Sequence, residues 1–399
     1  MRIKARIVRQ LAMDQRAFGG FETTEYEVTT DTHTKRVVDN KKYSHYYPRS
    51  HFPTRVNSMV RFSVKALAVS IGAGLLISMG SVSADGTVNV YSYRQPFLIK
   101  PIFDVFTRET GIEVNTVFAK TGLVERLVEE GDNSPADLIF TVDIGRLDGA
   151  VQAGVTQSVQ SDVLDSNIPA EFRDPDGQWF GLTNRARLIV TSKDRMEEGA
   201  IETYEDLAKP EYAGKISTRS GKHQYMTALI ASVIAHTDET QAEEWLRGVK
   251  ANLARKPQGN DRAQVKAISE GQCDIAIINS YYMGAMMSDE EQSSWADSVR
   301  IVFPNQNDRG THMNISGMSL TQAAPNKDNA IKLMEFLSGD LAQRMYAEQN
   351  HEYPVNKDIA PSGLVQSWGE FKYDPLPLAE IARHRVTATK MVDKIDYDG

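Results

Sequence analysis

Strand-like and helical runs alternate over residues 88–141, and that order constrains the fold more than any other feature of the chain. Residues 88–93 read VNVYSY, a strand pattern. Residues 99–110 fit a helix ended by Gly111, and 113–119 fit a second strand. A second helix over 122–130 places Leu123 and Leu127, and Val124 and Val128, at helical spacing and is closed by Gly131. Residues 136–141 make a third strand. A β-α-β-α-β order predicts parallel strands with helices packed on the faces of the sheet. Further strand-like runs follow at 187–192, 215–218, 273–279, 299–303 and 316–320. Thr203 with Asp206 three residues later is a capping signal for a helix before Pro210. Asn326 is placed to cap a helix through Leu337, which Gly339 separates from another through Gln349. No repeat, low-complexity tract or Pro/Ser-rich linker divides residues 85–399. That absence suits two lobes joined by strands, with the chain crossing between them more than once. In open α/β sheets ligands sit beyond the carboxyl ends of strands, so the residues that directly follow strands are the first candidates for function.

The first 84 residues are different material. They carry 13 Lys and Arg against 6 Asp and Glu, whereas 85–399 carries 32 against 47. Residues 59–84 (MVRFSVKALAVSIGAGLLISMGSVSA) have a basic start at Arg61 and Lys65, an apolar stretch over 66–80 and a small-residue site at Val82-Ser83-Ala84. This is the plan of a cleaved secretory signal. The apolar stretch is shorter than the roughly 20 residues a membrane span needs. Cleavage near Ala84 would leave a soluble periplasmic protein beginning at Asp85, with no cysteine there to carry a lipid. Residues 1–58 precede the signal and show no sustained apolar period, so they are read as a non-native leader with Met59 as the true start. Their histidines, His33, His45 and His51, are not read as ligands.

Cys273 is the one cysteine, which excludes a disulfide framework, a multi-cysteine zinc site and an iron–sulfur cluster. Its place at the start of a buried strand suits packing. The net charge of −8 argues against a nucleic-acid binder. The sequence lacks G-x-x-x-x-G-K-[ST], H-E-x-x-H, G-x-S-x-G and C-x-x-C motifs, which argues against an enzyme. His223, His236, His312, His351 and His384 form no spaced metal pair. The positive signal is tyrosine. CDIAIINSYY (273–282) is a buried-strand pattern that runs into Tyr281 and Tyr282, and Tyr225 ends RSGKHQY (219–225) shortly after another strand. One reading is packing, with tyrosine burying its ring and leaving its hydroxyl wet. The other is a hard cation. Phenolate is a hard oxygen donor, and a trivalent ion would deprotonate a phenol whose free pKa is about 10. Ferric iron fits, because three phenolates neutralise its charge without any cysteine.

Seven stretches give the chain a wider resemblance: VNVYSYRQP (88–96), SPADLIFTVD (134–143), WFGLTNRAR (179–187), KPQGNDR (256–262), NSYY (279–282), NISG (314–317) and NHEYPV (350–355). In this order they resemble the periplasmic ferric-ion-binding proteins that supply iron(III) ABC transporters, in the branch with a three-tyrosine site. The resemblance runs from about residue 88 to near the C-terminus. It implies an α/β, two-lobed periplasmic binding protein (type II, Venus-flytrap) with its ligand cleft between the lobes. The lobes would be 85–185 with 309–358, and 186–308 with 359–399. Tyr225, Tyr281 and Tyr282 match the family's phenolate ligands of Fe3+, and a synergistic anion such as carbonate, or water, would complete the coordination. Arg185 and Arg187 fall in the segment that holds an anion-contacting arginine. Arg94 and Gln95 follow the first strand and are expected to face the cleft. The implied partners are an inner-membrane ABC permease and its ATPase, with no nucleic acid, and the protein itself would be a monomer.

The chain departs from the wider family at four places. Gln95 and Pro96 stand where some members carry histidine and tyrosine, Val142 where another branch has glutamate, and Ala285 where another has arginine. Asp143 can approach the cleft or cap a helix after its strand. The rival within the same fold is a binding protein for a small organic or oxyanionic nutrient: a polyamine, thiamine or a phosphonate. A polyamine site wants carboxylates and aromatic faces, and a phosphonate site wants backbone amides at helix N-termini. Neither needs three phenols.

Overall fold

The computed structural model describes residues 86–399. The signal segment, the leader and the three leader histidines lie outside the described residues. The expected β-α-β-α-β start is present as β1 (Thr87–Ser92), α1 (Pro96–Thr110), β2 (Glu113–Phe118), α2 (Leu123–Glu130) and β3 (Leu138–Thr141). Both β2 and β3 pair parallel to β1. Pro96 opens α1, where a missing N–H costs nothing, and Gly111 closes it at φ 75°. Ile99, Ile102, Phe103 and Phe106 line its buried face at helical spacing.

The chain continues through α3 (Ile144–Gln152), β4 (Thr156–Gln157), α4 (Asp162–Asn167) and β5 (Phe180–Ser192). Then come β6 (Ile216–Ser217), α5 (Gln224–His236), α6 (Glu239–Ala251), α7 (Asp261–Ser269), β7 (Ile275–Asn279), α8 (Ser280–Met287), α9 (Ser293–Asp297) and β8 (Val299–Val302). The last part holds β9 (Met313–Thr321), α10 (Lys327–Ser338), α11 (Asp340–Asn350), β10 (Tyr353–Pro354), α12 (Gly363–Gln366), α13 (Leu378–Arg383) and α14 (Arg385–Lys394). No described helix is long and apolar enough to cross a membrane.

The strand order is β2-β1-β3-β9-β5-β7-β6, with β4 on β9 and with β8 and β10 on β5. β5 joins two sections of sheet. Its first part, Phe180 to Ala186, runs antiparallel to β9, and its second part, from Arg187, runs antiparallel to β7 and β8. The partner change falls between Ala186 and Arg187. The fold is therefore α/β and two-lobed, of the type II periplasmic-binding class.

The structure extends or trims several expected elements. β5 begins at Phe180, ahead of the expected 187, because FGLTNRA carries glycine, threonine, asparagine and arginine yet is buried along its whole length. β9 begins at Met313 for the same reason, while the expected strand at 215–218 shrinks to two residues. Thr203 and Asp206 do cap each other: Asp206 accepts from the Thr203 N–H at 2.8 Å and its own N–H donates to Thr203 Oγ1 at 3.1 Å. They close a short 3-10 turn, Glu205–Ala208, rather than an α-helix. Asn326 stands at the N-cap of α10 without a side-chain cap bond, because its amide donates instead to Asp137 at 3.1 Å. Cys273 is buried, and loss of hydration pushes its thiol up to about 11, as suits a packing residue.

Candidate metal centre

Two chain segments bring the three tyrosines together. β7 ends at Asn279, and α8 starts at Ser280, whose Oγ accepts from the Ala186 N–H at 3.2 Å. Tyr281 and Tyr282 therefore occupy the first turn of a helix directly after a buried strand, as the sequence pattern requires. Tyr225 occupies the first turn of α5. That helix is capped by His223, whose Nδ1 accepts from the Tyr225 N–H at 3.2 Å. Burial, then the Arg219 charge, pushes the His223 imidazole down to about 3, so it stays neutral and free to accept.

The Tyr225 and Tyr281 hydroxyl oxygens lie 3.2 Å apart. The Tyr281 and Tyr282 rings stack, with centroids 4.3 Å apart and planes 29° from parallel. Burial raises the Tyr281 hydroxyl well above the ordinary phenol range, and the neighbouring Tyr225 and Tyr282 hydroxyls and the Asp261 carboxylate add to this. Burial, then Asp261, likewise raises Tyr282. Both are neutral phenols at physiological pH.

Arginines surround these rings. The guanidinium carbons of Arg185, Arg187 and Arg219 lie 5.7, 6.0 and 5.1 Å from the Tyr225 ring centroid, and that of Arg262 lies 5.2 Å from the Tyr282 centroid. Asp261 organises two of them. Its wholly buried carboxylate takes Arg187 Nη1 at 2.9 Å, Arg219 Nη1 at 2.8 Å and the Asn279 N–H at 2.7 Å. One side chain thus ties β5, the loop before Tyr225 and the strand end before Tyr281. Residue spacing gives neither Asp261 nor Arg219 a role, although both lie in the stretches quoted above, because their meeting is a matter of topology. The signal present in the sequence is the turn Gly259-Asn260, where Asn260 caps α7 and aims Asp261 inward.

The other predicted residues are placed as follows. Arg187 adds Asn279 Oδ1 at 2.9 Å to its Asp261 bond through the same Nη1, and its Nε finds no partner among the described residues. Arg185 is as deeply buried but has no carboxylate partner among the described residues: it donates to Ser316 Oγ at 2.7 Å and to the Val142 carbonyl, and its Nε has no partner there either. Arg94 turns inward and pairs with Glu352 at 2.6 Å. Gln95 is exposed at the N-cap of α1 and makes no cap bond. Asp143 caps α3, accepting from the Arg146 N–H at 3.0 Å, and also takes Arg385 Nη1 at 2.6 Å.

Among the described residues no group of three or more His, Cys, Asp or Glu side chains is placed to hold a metal. Phenols are the oxygen donors that converge. Once deprotonated they would form a hard, triply anionic set, which fits a trivalent cation.

Residues 133–367 match the model of a bacterial extracellular solute-binding protein family. Iron uptake protein A1 of Synechocystis is 40% identical over 345 residues, covering 83% of this chain and 96% of its own. A ferric iron-binding protein A of Mannheimia haemolytica, solved in an open conformation, is 53% identical with a TM-score of 0.75, covering 79% of this chain and 99% of its own. The FutA (IdiA) protein of Trichodesmium, solved with iron and citrate ligands, is 40% identical with a TM-score of 0.75, covering 78% and 100%.

Proposed function

This chain belongs to a family of bacterial extracellular solute-binding proteins, and from that premise we propose that it captures ferric iron and delivers it to an ABC permease and its ATPase in the inner membrane. The observation that carries the reading is the convergence of Tyr225 and Tyr281, 3.2 Å apart at their oxygens, with Tyr282 stacked beside them. Relatives named for iron uptake and ferric binding support it. The protein acts as a carrier, not a catalyst: a monomer released to the periplasm by cleavage near Ala84.

We assign Tyr225, Tyr281 and Tyr282 as the iron ligands. Three phenolates cancel the charge of Fe3+. Arg185, Arg187 and Arg219 then outweigh the one carboxylate of Asp261 and leave the pocket cationic. That excess favours a bound anion such as carbonate. Between Arg185 and Arg187, Arg185 is the better anion contact, because Asp261 and Asn279 already occupy Arg187. Gln95 offers no anionic donor, and the Arg94 guanidinium is taken up by Glu352.

We further assign 85–185 with 309–358 to one lobe and 186–308 with 359–399 to the other. The change of β5 partners after Ala186 and the packing of α13 and α14 on α5 support this division. The phenols bind iron, the lobes close, and the closed form docks on the permease.

The test is a visible absorption spectrum of the 85–399 protein before and after Fe3+ with bicarbonate. A broad charge-transfer band is expected. Absence of a band, with thermal stabilisation by a polyamine, thiamine or a phosphonate instead, would overturn the ferric reading while keeping the fold.

A further inference from the structure

The C-terminal segment grips the site at two points. Past α14, the Asp398 carboxylate accepts from the Gly221 N–H at 2.7 Å and from Ser220 Oγ at 2.6 Å. The Tyr397 hydroxyl lies 3.0 Å from Thr218 Oγ1. A Cβ on Gly221 would sit 2.7 Å from the Tyr397 ring, so the absence of a side chain there lets Tyr397 lie on the loop. That loop leads directly into Tyr225.

At its other end the segment reaches α3, which packs on β3 and β9 in the opposite section of sheet. Arg385 Nη1 bonds Asp143 Oδ1 at 2.6 Å, and the carboxylate is wholly buried. Gly145 makes the seat: a Cβ there would fall 2.0 Å from Arg385 Cδ. The Asp143 charge acts in turn on His223, the cap of α5. α13 packs on both α3 and α5.

We propose that Arg385 and Asp398 are positioning residues for iron capture, with Asp398 fixing the loop that presents Tyr225 and Arg385 latching that segment to Asp143 across the cleft. Opening the lobes breaks the Arg385–Asp143 pair, so the latch sets how long the metal stays. The inference rests on the ferric reading.

The experiment follows iron release into excess chelator by loss of the charge-transfer band, in the 85–399 protein and its variants. Arg385→Gln removes the latch charge, and Gly145→Ala displaces Arg385 without altering its charge. Both are expected to speed release about fivefold or more, since truncating one partner of a buried charge pair acts mainly on off-rates. Arg383→Ala, on a surface pair with Glu380, should release as the parent does. Asp398→Ala, which removes both acceptors of the loop, should shift the band by moving Tyr225, a change that loss of fold stability alone would not give. Release within twofold of the parent for both Arg385→Gln and Gly145→Ala, with folding intact, would overturn the latch. An unshifted band in Asp398→Ala would overturn the role of Asp398. A parent protein with no band at all would overturn the ferric reading, and the latch with it, and differs visibly from a coloured parent with unchanged variants.

Discussion

The Tyr225 and Tyr281 hydroxyls meet at 3.2 Å although 56 positions separate them in the chain. Each stands in the first turn of a helix, and the two helices are brought together by Asp261, which holds Arg219 ahead of one and Asn279 ahead of the other. The pair is a consequence of topology, with the local sequence supplying only the helix starts.

If these phenols hold iron, deleting one hydroxyl removes a ligand while leaving the ring to pack. Tyr281→Phe or Tyr282→Phe should abolish or shift the charge-transfer band. Affinity should fall by more than the 10- to 100-fold typical of partners outside the ligand shell. Titration with ferric nitrilotriacetate, followed by absorbance, measures both. An unchanged spectrum in Tyr282→Phe would remove that residue from the ligand set.

Iron binding should weaken in acid. Burial keeps the Tyr281 and Tyr282 hydroxyls protonated in the metal-free protein, with pKa values above the ordinary phenol range. Each ligating phenol must then give up a proton to the solvent. Lowering the pH by one unit therefore costs up to about tenfold in apparent affinity per ligating phenol. Competition with a chelator of known proton affinity between neutral pH and pH 4 checks this. A flat profile would contradict tyrosine ligation.

Much of this architecture was legible from residue order alone. The parallel start over β1, β2 and β3 followed from alternating periodicities, and Gly111 and Gly131 ended their helices as expected. Tyr281 and Tyr282 stand out as candidates because an unbroken apolar strand leads straight into them. The first half of β5 was not legible, because Thr183, Asn184 and Arg185 interrupt the apolar pattern of a buried strand, as Arg187 does at the head of the expected one. They are buried because partners from distant segments satisfy them: Ser316 for Arg185, Asp261 and Asn279 for Arg187. Arg385 and Asp398, both half-buried, likewise depend on partners more than 170 positions away. Polarity gives strand burial away only when the pairing is local.

Asp261 should be the costliest single charge to delete around the site. It is wholly buried between Arg187 and Arg219, and the Asn279 N–H also depends on it. The two guanidiniums hold its carboxyl below the usual range, against the burial that opposes ionisation. Asp261→Ala leaves two buried cations unpaired, a loss of about 3–5 kcal/mol. Urea denaturation of the metal-free protein measures it. A loss below about 1 kcal/mol, the range of exposed pairs, would show that solvent already screens the cluster.

His312 should make the metal-free protein sensitive to acid. It lies at the head of β9, wholly buried, with no partner for either ring nitrogen among the described residues. Burial, then the charges of Arg187, Arg309, His236 and Arg185, pushes it down to about 3. The unfolded chain protonates this imidazole below about 6.5, whereas the folded protein stays neutral until about 3. Its contribution to stability is therefore complete above the unfolded pKa. It is lost as pH falls through the window between the two values, by up to about 1.4 kcal/mol per pH unit. His312→Leu fills the same space without a proton site. Relative to the parent, it should gain on the order of 2–3 kcal/mol between neutral pH and pH 4. Urea midpoints across that range decide the matter. Parallel midpoint curves for the parent and His312→Leu would mean that the imidazole is protonated, or solvated, inside the fold.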